Sequence, residues 1–326
     1  MTLVTETAVK ALLNTTTTTQ VRPRYEGSNI CTWIGFKHVN YLVEEAVLDH
    51  FRQAGLPARA LYETHGLGLD LVSVDSRILH AFHMDDVAEA EVVPWIPKGE
   101  EAAATIGFKV TIRFERNGEI LKAVTAKVRV SLRIDTYLEA AGDIPAELAR
   151  YAVATLGDDL EREPASVAPA EEEILASLTA GQNAYAWKWN IPYPYCHFTE
   201  RIQMSGYLRL MEEGKDRFVA DRGISIKTLL DDRRWIPVVP RSDIRILDEA
   251  MMEEDLYTVY TVEEVFKDFT YTSRMDFYVL RDGKLVKTAT GRIVHGYAVI
   301  ENRRDWSLVS FDRRVVDAIS GKAPQA

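Results

Sequence analysis

The feature that most constrains this chain is an internal repeat at a constant spacing. Glu44-Glu45 recurs as Glu212-Glu213, 168 positions on, and Gly55-Leu56 recurs as Gly223-Ile224 at the same offset. Asp75-Ser-Arg77-Ile-Leu79 returns as Asp243-Ile-Arg245-Ile-Leu247, and Tyr25 falls on Tyr193, again 168 later. Farther along, Arg116-Asn-Gly118 and Lys122 match Arg281-Asp-Gly283 and Lys287 at an offset of 165, so about one short loop differs. Several matches in one order at one spacing predict a tandem duplication. The length, 326 residues, fits two units of about 150 residues each.

Both copies share one coarse plan, in which an extended segment leads through a loop into a helix. The helices are predicted over Phe36–Ala54 and Arg201–Asp221. Their apolar residues spread over most of the helix circumference near the start, which implies burial on nearly all sides. Gly55 and Gly223 end them as C-cap glycines. Strand-like segments follow: Leu69–Leu79 and Glu89–Pro94 in the first copy, Trp235–Leu247 and Leu256–Val265 in the second. Ile106–Glu115 then pairs with Ile120–Ile134 across Asn117-Gly118, and Met275–Leu280 with Leu285–Ile300 across Asp282-Gly283. One long helix and four or five antiparallel strands per copy define an α+β layer, a sheet wrapped around a helix.

Residues 1–20, with Thr15–Thr19 in a row, read as a poorly ordered tail. The copies then occupy 21–141 and 184–326. The Ala- and Glu-rich stretch 142–183, which carries PASVAPAEEE, reads as a linker with some helix that breaks around Pro164–Pro169. One continuous domain with a long helical excursion is the alternative.

With 39 basic and 49 acidic residues, the net charge of −10 argues against nucleic acid as a partner. No apolar run reaches the roughly 18 residues of a membrane span, and the N-terminus lacks a leader pattern. Cys31 and Cys196 provide neither a disulfide framework nor metal spacing, and His65, His80 and His83 are scattered. A cytoplasmic enzyme or binding protein with no metal and no cofactor is the expectation.

The second copy's RIQMSGYLRLMEEG, followed by RGI, resembles the helix motif of hotdog-fold thioesterases of the 4-hydroxybenzoyl-CoA and acyl-carrier-protein type. That motif runs Tyr-Leu-Arg-x-x-Glu-Glu-Ala and then Gly-Leu or Gly-Ile; the match is close from Tyr207 to Glu213. The first copy's GFKHVNYLVEEAV and AGL match at Gly35 and from Glu44 to Leu56. Two copies in one chain are similar to the double hotdog of plant acyl-carrier-protein thioesterases. The resemblance spans about Val21–Ile134 and Ala184–Ile300. It implies hydrolysis of acyl-CoA or acyl-carrier-protein thioesters between the two halves, in fatty acid or polyketide metabolism. Hotdog dehydratases or hydratases acting on 3-hydroxyacyl thioesters, and non-catalytic acyl-thioester binding, are the alternatives. A homodimer of double hotdogs stays open.

The departures from the motif bear on mechanism. The family's usual catalytic Asp falls on Asn29 in the first copy and on His197 in the second, and its Gly-His falls on Glu200-Arg201. A thioester needs a polarised carbonyl and a delivered water, since a thiolate with pKa of about 8.5 leaves readily. Helix first-turn N–H groups would polarise the carbonyl. His197, four residues before Arg201, is a candidate base, with Glu200 orienting it or acting itself. Glu213, roughly three turns into the helix, is a further candidate, and Asn29 and His38 of the first half would face the second half's helix. Each has a plainer reading: His197 as a satisfied loop histidine, the Glu pairs as scaffold, Asn29 as a loop hydrogen-bonder, His38 as a buried one. Cys196 and His197, adjacent in an extended segment, point to opposite faces and form no dyad. Arg201, Arg233 and Arg234 are candidates for docking the phosphates of coenzyme A or an acidic carrier, against the plainer reading of a solvated face.

Overall fold

A computed structural model describes residues 6–96, 99, 103–157 and 163–321. The first half holds α1 (Glu6–Asn14), β1 (Thr17–Val21), α2 (Phe36–Gln53), α3 (Ala58–His65), β2 (Leu67–Ile78), β3 (Ala88–Pro94), β4 (Ile106–Arg116) and β5 (Glu119–Ile134). A connecting stretch carries two-residue strands β6 (Ala152–Val153) and β7 (Ser166–Val167) and the short helix α4 (Ile174–Thr179). The second half holds β8 (Ala184–Asn190), α5 (Met204–Asp221), α6 (Ile226–Arg233), β9 (Trp235–Ile246), β10 (Asp255–Phe266), β11 (Thr270–Arg281) and β12 (Lys284–Ile300). It closes with β13 (Trp306–Val309) and α7 (Arg313–Ile319).

The repeat read from the sequence is a repeat of structure. Helices α2 and α5, α3 and α6, and strands β2 and β9 begin and end 168 residues apart. The strands join in one sheet whose order is β1-β3-β4-β5-β2-β9-β12-β11-β10-β8, so the two halves read identically outward from the β2–β9 seam. The seam is antiparallel, with Asp75 opposite Asp243 and Ser76 opposite Ser242. Asp75 and Asp243 are the matched residues of the two copies, so a pseudo-twofold axis passes between them. Strand alternation and the apolar helix circumference produce one continuous core, from Val39, Val43 and Phe51 on α2 to Tyr207, Met211 and Phe218 on α5.

Two sequence expectations are corrected. The supposed tail is structured from Glu6: Val9 and Leu12 of α1 are buried, and β1 pairs with β3. His50, buried on α2, fastens both pieces. Its Nε2–H donates to the Leu12 carbonyl at 2.9 Å, leaving Nδ1 to accept the Thr17 hydroxyl at 2.6 Å. The second long helix begins at Met204 rather than Arg201. Residues 196–202 instead form a tight loop closed by bridges from Cys196 to Ile202 and from Arg201 to Met251, with Glu200 in the left-handed region at φ 62°.

Candidate active site

Helix α2 starts without a capping side chain. Its N-cap is Gly35, which has no side chain to cap the first-turn N–H groups. Gly35 and Phe36 open onto a cavity of about 830 Å3 that lies between the halves. Arg209, Glu212, Glu213 and Lys215 reach it from α5, Pro237 and Val238 from β9, and His295 from β12. Trp33, Ile34, Met211, Ile236, Phe269 and Trp306 supply apolar wall. Such a volume and such a lining are those of a small-molecule site.

Three groups converge at the helix start. A methyl group on Gly35 would stand 3.5 Å from Glu212 Oε1 and 3.6 Å from the Asn29 amide nitrogen. Glu212 Oε2 receives Lys37 Nζ at 3.0 Å, an ion pair between the long helices of the two halves. Burial raises the Glu212 carboxyl above the usual carboxylate range, and Lys37 offsets only part of this. The arrangement places a helix N-terminus, an amide and a carboxylate paired with Lys37 around one point. Together they can polarise a carbonyl and take a proton from water.

The matched position in the second half is filled. There Arg201 stands for Trp33, His197 for Asn29, and Asp70 on β2 for the cavity-lining Val238. Asp70 is buried; its Oδ1 accepts from His197 Nε2 at 2.6 Å, and its Oδ2 accepts from Arg201 Nη2. Thr199 N–H donates to His197 Nδ1 at 3.0 Å, which fixes the tautomer that donates to Asp70. Gly68 makes room: a Cβ there would come within 2.9 Å of Arg201 Nη2. Burial pushes the Asp70 carboxyl up, but His197 and Arg201 outweigh it and hold it below the usual range. With the Thr199 hydroxyl also against His197 Nδ1, Thr199, His197 and Asp70 have the connectivity of nucleophile, base and carboxylate. None of them lines the cavity, Thr199 is 4% exposed, and Arg201 holds the second Asp70 oxygen. The cluster ties the halves together.

The sequence-predicted residues therefore divide. Asn29 and Glu213 line the cavity, although Glu213 is paired with Arg217 at 2.7 Å. His197 and Glu200 do not line it, so the cavity does not bring together the base and orienting residue that the sequence suggested. Glu200 is exposed at its turn. His38 is buried beside Gly27, edge-on to Tyr41 at 5.0 Å, and burial keeps its pKa down. Arg201, 1% exposed, has no reach to a carrier; its guanidinium serves Asp70. Arg233 pairs with Asp312 at 2.5 Å, and Arg234 supplies the left-handed C-cap of α6. Cys196 is buried and its thiol is pushed up to about 11 by burial, so it makes no nucleophile at neutral pH. Sequence reading passed over Lys37 and Lys215, and it took Glu212 for scaffold.

At the level of sequence, no protein-family model and no curated protein matches the chain. Solved structures do. An assigned oleoyl thioesterase from Lactobacillus plantarum superposes with a TM-score of 0.57 at 13% identity, covering 89% of this chain and 97% of that one. The 12:0-ACP thioesterase from Umbellularia californica gives 0.57 at 11% identity, covering 90% and 94%. An acyl-ACP thioesterase from Bacteroides thetaiotaomicron gives 0.52 at 9%, covering 86% and 97%. The chain is thus a tandem double hotdog, the fold of these thioesterases. At such identities the likeness establishes the fold alone.

Proposed function

We propose that the protein hydrolyses acyl thioesters of coenzyme A or of an acyl-carrier protein in the cavity at the N-terminus of α2. The observation that carries this reading is the convergence of the uncapped helix start, Asn29 and Glu212 on one apolar-walled cavity. The thioester carbonyl oxygen would lie against the first-turn N–H groups of α2, where the helix dipole favours developing negative charge. Asn29 would hold the carbonyl or the water by its amide. Glu212 would accept a proton as water oxygen attacks the carbonyl carbon. Collapse of the tetrahedral intermediate breaks the carbon–sulfur bond, and the proton returns from Glu212 to the departing thiolate.

The test is thiol release from a panel of acyl-CoA and acyl-carrier-protein thioesters. Glu212→Gln should lower kcat by about a hundredfold or more, and Asn29→Ala by about tenfold or more, with folding retained. His197→Ala should leave kcat within about threefold of the parent, because His197 lies outside the cavity. A spectroscopic change in an enoyl thioester without thiol release would replace hydrolysis with hydration or dehydration. Thioester binding without either reaction would make the protein a carrier of acyl groups.

A further inference from the structure

The two halves share a backbone plan, yet six matched core positions differ in one direction. On the long helices, Val47 of α2 becomes Lys215 of α5. In the sheets, the opposed pair Ile106 and Val130 becomes the opposed pair Tyr271 and His295. Val92 becomes Tyr260, Phe108 becomes Ser273, and Leu132 becomes Tyr297 at equivalent registers. All six first-half residues are apolar and at most 2% exposed. The fold is therefore satisfied by apolar side chains at every one of these places, and the second half has exchanged them for groups that carry a nitrogen or hydroxyl.

The exchanged groups form one cluster. Ser273 Oγ lies 2.8 Å from His295 Nε2 and Tyr260 Oη 3.2 Å from it, while Tyr271 stacks on the His295 ring at 4.6 Å. Lys215 Nζ sits over the Tyr297 ring, 5.6 Å from its centre. Lys215 Nζ, His295 Nδ1 and Tyr297 Oη have no hydrogen-bond partner among the described residues. Lys215 and His295 both border the cavity. A buried ammonium with no ion-pair partner among the described residues, only weakly offset by Asp216 and Glu212, is costly, and so is each unpaired donor. A ligand that brings a negative charge and acceptor oxygens removes both costs at once.

We infer that the cavity receives an acyl group bearing a carboxylate, with Lys215 as its counter-charge and His295 as a hydrogen-bond partner. This rests on the reading of the cavity as an acyl site. The substrate class is then the monothioester of a dicarboxylic acid, and a plain alkyl chain leaves the cluster unpaired.

The experiment measures binding separately from turnover. Non-hydrolysable amide analogues of succinyl-, adipyl- and suberyl-pantetheine are titrated calorimetrically against the length-matched butyryl, hexanoyl and octanoyl analogues. At least one carboxylated analogue should bind on the order of tenfold to a hundredfold tighter than its alkyl match. Lys215→Met, which restores the apolar character of Val47, should abolish that preference while alkyl binding holds or improves. His295→Val, which restores the residue of the matched first-half position Val130, should reduce it severalfold. Equal or tighter binding of every alkyl analogue by the parent protein overturns the inference, as does an undiminished preference in both folded variants. Carboxylate preference in binding with no thiol released from any thioester would sink hydrolysis and leave this inference standing. Hydrolysis with no such preference would do the reverse.

Discussion

Lys215 and Glu44 are ionisable residues whose surroundings oppose their charge, and each makes stability depend on pH in its own direction. Burial lowers Lys215 from 10.5 to about 8, against the weaker pull of Asp216 and Glu212. Between those values the unfolded chain holds a proton that the native state has released, so stability should rise with pH from about 8 to 10.5. Lys215→Met should remove that rise and add roughly 1–3 kcal/mol at pH 7, read from denaturant midpoints, because an unpaired buried charge is gone. Glu44, matched to Glu212, is raised from 4.5 to about 7 by burial and by Glu45. Its native state favours the protonated form, so stability should fall as pH climbs from 4.5 to about 7, and Glu44→Gln should flatten that slope. The contrast with Glu212 comes chiefly from Lys37, which pairs with Glu212 and whose matched residue in the second half is Ser205. In the sequence, Glu212 and Glu213 are indistinguishable neighbours. Helical phase separates them by about 100°, sending one toward Gly35 and Lys37 and the other toward Arg217.

Among the elements, the long helices were legible to within about three residues, since a run of apolar side chains on nearly every face has few other destinations. The start of α5 was not, because Arg201 and Ile202 look helical in pattern while their backbone bridges to Met251 and Cys196. The close approach of that loop shows at Gly206, where a Cβ would come within 2.7 Å of the Tyr195 carbonyl oxygen and 2.9 Å of Ile202. Gly206→Ala should therefore destabilise the protein by roughly 1–3 kcal/mol despite alanine's better helix propensity, as a lowered Tm would show. The first strand was missed for a related reason. Five threonines in a row look like low complexity, and only the distant His50 gives Thr17 its partner.

For the whole molecule, the two halves have matched helix-start positions, of which one opens on a cavity and the other is filled. Val238 leaves space where Asp70 fills it, and Asn29 lines the cavity where His197 is held by Asp70. The closed position should act as a clasp between the halves. Asp70→Ala leaves the Arg201 guanidinium buried and unpaired, and should cost about 3–5 kcal/mol in equilibrium unfolding. Turnover per folded molecule should be unchanged, since Asp70 borders no part of the cavity. The sequence by itself determined the repeat, the α+β plan and the helix-start position of Asn29, because spacing and periodicity are properties of the chain alone. Only the tertiary structure decided which of the two helix starts faces a cavity. That depends on residues such as Asp70 and Glu212, which reach each site from the opposite half at separations of more than a hundred residues, where no local pattern records the contact.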